Sequence, residues 1–100
     1  MSALDQEKIK RALSELTGWA YVGGRIEKTF AFMSYADEVA FAMRVALDAE
    51  RHDHHPDELT LLWKRVRVAY VTHSAGGVTE KDLEAARRVE GYARRFDSGQ

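Results

Sequence analysis

The chain has 100 residues, 45% hydrophobic and 31% charged, which is the balance of a globular protein and enough for one domain with a real core, though at this size stability can lean on oligomerisation. Fifteen basic against sixteen acidic side chains leave a net charge of −1, which gives no footprint for nucleic acid as a direct ligand, and the absence of cysteine excludes disulfides, thiolate zinc sites and cysteine nucleophiles. No apolar run approaches the roughly 18 residues of a membrane span and no basic-then-apolar leader opens the sequence, so one cytoplasmic domain over residues 1–100, with no membrane contact, is expected.

Residues 5 to 17 read as a helix, with Ile9, Ala12, Leu13 and Leu16 on one apolar face and Gly18 at the C-cap. Gly23-Gly24 supplies a tight hairpin turn between Trp19-Ala20-Tyr21-Val22 and a strand from Arg25 to Met33. In that strand Ile26, Lys28, Phe30 and Phe32 share one face, and Glu27, Thr29 and Ala31 the other. Ser34 and Asp37 resemble a capping box for a helix from about 35 to 51. Its stripe of Val39, Ala42, Met43 and Ala46 is widened by Phe41, Val45, Ala49, Ala40 and Leu47, more apolar girth than one sheet contact needs, so a second subunit is expected to cover it. A charge at Phe41 or Met43 is then expected to weaken assembly. Pro56 disfavours helical geometry at His55 and forces a turn. Residues 58 to 72 carry strand formers over a length that is long for one strand, and Lys64 and Arg65 mark either a bend or a tight hairpin, which no Gly or Pro settles. His73-Ser74-Ala75-Gly76-Gly77 is a loop. Thr79 and Asp82 repeat the capping-box spacing, and Leu83, Ala86, Val89, Ala93 and Phe96 line a last helix from about 80 to 96, with the Arg87-Arg88 and Arg94-Arg95 pairs on its solvated face and a polar tail from Asp97 to Gln100. The order helix, hairpin, helix, strand or strands, helix predicts an α+β domain whose antiparallel sheet is covered by helices on one face.

Three of the four histidines, His52, His54 and His55, fall within four residues, and His73 follows. Imidazole exchanges protons near neutral pH, and Glu50, Asp53 and Asp82 lie close by in sequence or downstream. Glu50 is four residues from His54, so a helix reaching His54 would let the carboxylate polarise that ring. Histidines on opposite sides of one cleft could supply an acid and a base. Two other readings compete: scattered surface histidines, and a zinc site built from His52, Asp53, His54 and His73, although no H-E-x-x-H pattern is present. Asp82 reads first as a helix-cap carboxylate.

The spacing Glu50, three residues, His54-His55-Pro56, six residues, Trp63, nine residues, His73, eight residues, Asp82 resembles that of the pterin-4a-carbinolamine dehydratases. Thr72-His73 and Gly77-Val78-Thr79-Glu80-Lys81-Asp82 are similar to the family's closing segment, and Gly18-Trp19 and Phe41-Ala42-Met43-Arg44-Val45-Ala46-Leu47 to its N-terminal half. Ser74 stands where some relatives have an acidic residue. The resemblance implies an α+β subunit with a four-stranded antiparallel sheet and three helices in the order α-β-β-α-β-β-α. It implies loss of water from a 4a-hydroxytetrahydropterin, left by an aromatic amino acid hydroxylase, to give quinonoid dihydropterin. It further implies His54 and His73 as the catalytic pair, His55 next, and Glu50 as a polarising carboxylate. Asp53, His54, His55, Val71, Thr72, His73 and Ser74 would border one flat hollow for the pterin, with Trp63 and Asp82 in support and no metal or cofactor. Family members assemble as dimers or tetramers through the central helix. Some animal members bind a homeodomain transcription factor, so the other expectation is a non-catalytic binding module or dimerisation cofactor of a protein partner.

Overall fold

Asp5 accepts a hydrogen bond from the Lys8 amide (2.9 Å) and opens α1 (Gln6–Leu13) in the computed structural model, which describes residues 2–97. The helix is shorter than the periodicity predicts. Ser14 Oγ donates to Arg11 O (2.6 Å) and Leu16 N to Leu13 O (3.0 Å), so the chain tightens out of the α-helical pattern while Leu16 still reaches the core. Gly18, at φ +90°, shapes the approach to the sheet instead of capping the helix.

The sheet follows from two hairpins. Gly23 and Gly24 both have positive φ (61° and 81°), which suits the two-residue turn between β1 (Ala20–Val22) and β2 (Arg25–Ala31). The second hairpin joins β3 (Glu58–Leu62) to β4 (Arg65–Tyr70) across Trp63 and Lys64, where Lys64 itself takes the left-handed region at φ 53°. The antiparallel strands lie in the order β1-β2-β4-β3, with Phe30 opposite Val66 and Val66 opposite Leu61. Ile26, Phe30, Val66, Val68 and Tyr70 turn one face of the sheet into the core. The other face carries Arg25, Glu27, Glu58, Thr60 and Arg67.

Two long helices, α2 (Tyr35–His52) and α3 (Glu80–Asp97), complete the order α-β-β-α-β-β-α. Phe41, Ala42, Val45 and Ala49 of α2 and Leu83, Ala86, Val89 and Ala93 of α3 enter the core. Phe41 packs on Phe30 (ring centroids 4.9 Å apart) and Phe32 (5.0 Å), so it belongs to the subunit's own interior and not, as expected, to an assembly surface. Arg88 is likewise not solvated with the other α3 arginines: its guanidinium grips the buried Asp48 through Nε (2.8 Å) and Nη2 (3.2 Å). Residues 98–100 of the expected polar tail lie outside the described residues. No helix among the described residues is long and apolar enough to cross a membrane.

Candidate active site

The C-terminus of α2 decides where the histidines go. Asp53 takes the left-handed conformation at φ 50°, which Asp tolerates better than most side chains, and His54 N bonds back to Ala49 O (3.1 Å). The helix therefore stops before His54, and the Glu50–His54 pair expected from helical spacing does not form. Glu50 meets His55 instead, at 2.8 Å from Nε2, on the surface.

His54 turns inward. Its side chain is only 12% exposed, its ring stacks on that of Tyr70 (6.0 Å, 13°), and its Nε2 lies 2.6 Å from Asp82 Oδ1. Asp82 is wholly buried. Its Oδ2 accepts from Thr79 N (2.8 Å), the reciprocal half of the expected capping box, and from Thr72 Oγ1 (2.8 Å). One carboxylate thus caps α3 and anchors a site histidine. Burial in this wall also raises the Tyr70 hydroxyl above its ordinary range.

His73 sits beyond β4 at the start of a short 3-10 turn, His73–Ala75. Its Nε2 lies 2.8 Å from Asp57 Oδ1, while Asp57 Oδ2 accepts from Arg25 Nη1 (2.8 Å). Arg25, then His73, hold the Asp57 carboxyl below its ordinary range, and Asp57 together with Glu58 raises Arg25. Next to it Thr60, Arg67 and Arg25 bring Glu58 down from 4.5 to about 2. A carboxylate with a depressed folded pKa adds stability that is complete above its unfolded value and disappears as pH falls through the folded one. The melting temperature is therefore expected to fall between about pH 4.5 and 2, and Glu58→Gln should flatten that limb in thermal scans at stepped pH. An unchanged limb would contradict the Glu58 network.

Contrary to expectation, the rings do not converge on one flat hollow. A cleft of about 310 Å³ is lined by the hairpin glycines, Arg25, Asp57, Val71, His73 and the Gly76-Gly77 turn. A smaller hollow of about 120 Å³ is lined by His52, His54, Lys81, Glu84 and Arg88. Thr72, the neighbour of His73 in the chain, hydrogen-bonds the carboxylate that holds His54, which ties the backbone beside His73 to the anchor of His54. Thr72 is buried with its hydroxyl committed to Asp82 and Thr79, so it supports the rim and does not face it. Asp53, His55 and Ser74 are exposed. Trp63 is placed apart. It lies six residues along the β3 hairpin from Asp57, about 20 Å at strand rise, and lines a separate groove with Tyr35, Glu38, Leu61 and Leu62. Among the described residues no group of three or more His, Asp or Glu is placed to hold a metal ion; His52 faces Asp48 (3.7 Å) while His54 and His73 take other carboxylates.

Sequence reasoning missed Asp57 and Arg25. The signal was strand register. Once the turn is placed at Trp63-Lys64, Glu58 falls opposite Ala69, and Glu27 of β2 falls on the other side of the same residue. The ends of β2 and β3 then meet beside the exit of β4, with Asp57 N bonded to Ala69 O (2.8 Å).

Comparison with known proteins gives the family. The family model described as pterin 4 alpha carbinolamine dehydratase matches residues 2–92. A Sulfolobus acidocaldarius protein carried under the pterin-4-alpha-carbinolamine dehydratase name is 43% identical over 86 residues, covering 86% of this chain and 93% of that one. A Mycolicibacterium vanbaalenii protein of the same name is 40% identical over 91 residues, covering 91% and 97%. Among solved structures, a transcriptional coactivator/pterin dehydratase from Brucella melitensis superposes with a TM-score of 0.86 at 36% identity, covering 92% of this chain and 99% of its own. A pterin dehydratase-like protein described as a RuBisCO assembly factor in the alpha-carboxysome gives 0.60 at 29%, covering 69% and 79%.

Proposed function

The chain belongs to the pterin 4 alpha carbinolamine dehydratase family, and from that premise we propose that it removes water from a 4a-hydroxytetrahydropterin to give quinonoid dihydropterin. The observation that supports this most is the pair of imidazoles each held by its own carboxylate, His54 by Asp82 and His73 by Asp57, with the backbone beside His73 tied to Asp82 through Thr72. The reaction breaks the C4a–O bond and forms C4a=N5. One ring protonates the departing hydroxyl, which leaves as water, and the other takes the N5 proton, so protons balance without a cofactor. The pterin lies between the two rings, bordered by Asp53, Val71 and Ser74, with the His55–Glu50 pair at its outer edge. The setting that fits is the cytoplasm, where the enzyme returns pterin spent by an aromatic amino acid hydroxylase.

The direct test follows decay of a 4a-hydroxytetrahydropterin. Saturable acceleration over the spontaneous rate is the expected result. Pterin binding without acceleration would favour the second reading, a binding module, which the coactivator and assembly-factor names of the two structural neighbours support.

The assembly belongs to the same proposal. Val39, Met43 and Leu47 recur every four residues on α2 and stay exposed (36%, 56% and 58%), on the side away from Phe41 and Val45. We expect a dimer or tetramer by size-exclusion chromatography with light scattering, dissociated by Met43→Glu or Leu47→Glu without loss of helical signal. A wild-type monomer would contradict it.

A further inference from the structure

Both oxygens of Asp57 are in use, one on His73 and one on Arg25, and we propose that Asp57 is the positioning residue of His73, held in place by Arg25, so that the ring presents Nδ1 and not Nε2 to the substrate. The kinetic part of this inference rests on the dehydratase reading; the geometric part does not.

Three carboxylates fix the guanidinium of Arg25. Nη1 donates to Asp57 (2.8 Å), Nη2 to Glu58 (2.6 Å) and Nε to Glu27 (3.3 Å). Glu58 is tied in turn to Arg67 Nε (2.8 Å) and Thr60 Oγ1 (2.7 Å). Asp57 is therefore the end member of a net spanning β2, β3 and β4 on the sheet face away from the core, and its own amide is pinned to Ala69 O (2.8 Å). His73 is different. Its side chain is 77% exposed, and its bond to Asp57 is the only hydrogen bond its ring makes among the described residues. Nothing but Asp57 orients it.

The hydrogen-bond roles follow from the charges. An ionised carboxylate has no proton to give and can only accept. Arg25 and His73 keep Asp57 ionised well below neutral pH. The His73 ring must then donate from Nε2, and a neutral imidazole has one N–H, so the lone pair is on Nδ1. Nδ1 is thus the atom that takes a proton from the pterin, or returns one when the ring is doubly protonated. This division of labour is the one general to carboxylate–imidazole pairs, in which the acid residue sets tautomer and orientation without itself being protonated.

The test is the long-range nitrogen–proton NMR spectrum of the His73 ring, which distinguishes the two tautomers without substrate, combined with kcat and KM. The wild type should show the Nε2–H form. Asp57→Asn can offer either an oxygen or an N–H to Nε2, so it should show a mixture, with kcat down about 10- to 100-fold and KM changed far less. Asp57→Glu should restore part of both signals. Arg25→Lys keeps the charge but cannot fork between Asp57 and Glu58, and should give an intermediate loss. Glu7→Gln, on the exposed first turn of α1 and outside this net, should match the wild type. An unshifted tautomer in Asp57→Asn, or full kcat in that variant, would overturn the inference. A wild type with the Nε2–H tautomer but no turnover would instead sink the dehydratase reading and leave the positioning role standing.

Discussion

Asp82→Ala is expected to lower the melting temperature by roughly 12–24 °C, from about 3 kcal/mol of lost stability at 4–8 °C per kcal/mol for a domain of this size. The carboxylate is wholly buried and accepts from the Thr79 amide, the Thr72 hydroxyl and the His54 ring. Alanine leaves the first and third of these donors without an acceptor, and each buried orphan costs about 1–3 kcal/mol. The Thr72 hydroxyl loses least, because Thr79 Oγ1 is 2.8 Å away and can still pair with it. The N-terminus of α3 also loses the negative charge that favours it. Asp82→Asn keeps one acceptor oxygen and should lose less. Thermal unfolding followed by circular dichroism decides the matter, and an Asp82→Ala shift below about 4 °C, under 1 kcal/mol, would mean the buried network contributes little.

Loss of either ring of the proposed pair, His54 or His73, is expected to cut kcat by about 10²- to 10⁴-fold, the usual worth of a positioned acid or base. The two variants carry different structural risks. His73 is largely exposed, so His73→Ala should melt close to the wild type. His54 is nearly buried against Tyr70 and Asp82, and alanine there would strip a donor from a buried carboxylate, so His54→Gln is the cleaner variant. His55→Ala should lose less than either, since that ring and Glu50 are both mostly solvated. The double variant need not lose the product of the single losses, because rings that act in one proton relay are not additive. Unchanged rates in both single variants would reject the assigned roles.

Much of this was legible in the chain. Period-two burial in β2 and the apolar stripe of α3 place Ile26, Phe30, Leu83 and Val89 inside, and Gly23-Gly24 marks its turn, because each signal depends only on residues next to or one helical turn from each other. Other features were hidden for identifiable reasons. The β3–β4 turn carries no glycine, since Lys64 adopts the left-handed region itself. The partner of His54 was misassigned because helical spacing presupposes a helix, and Asp53 ends it one residue too soon. Phe41 and Met43 look alike on a helix apolar over most of its girth, and only the packing of α2 onto Phe30 and Phe32 separates core from surface. Asp57 and Arg25 were invisible because they are 32 residues apart and meet only through the strand register.

Two separately anchored imidazoles, proposed to serve one substrate, line different hollows. A crystal structure of the chain with a 7,8-dihydropterin bound decides whether they do. One pterin ring should lie over the Thr72–Asp82 link, with His54 and His73 both within hydrogen-bond reach of its C4a–N5 edge. A pterin held by one of these rings alone, or bound away from both, would contradict it.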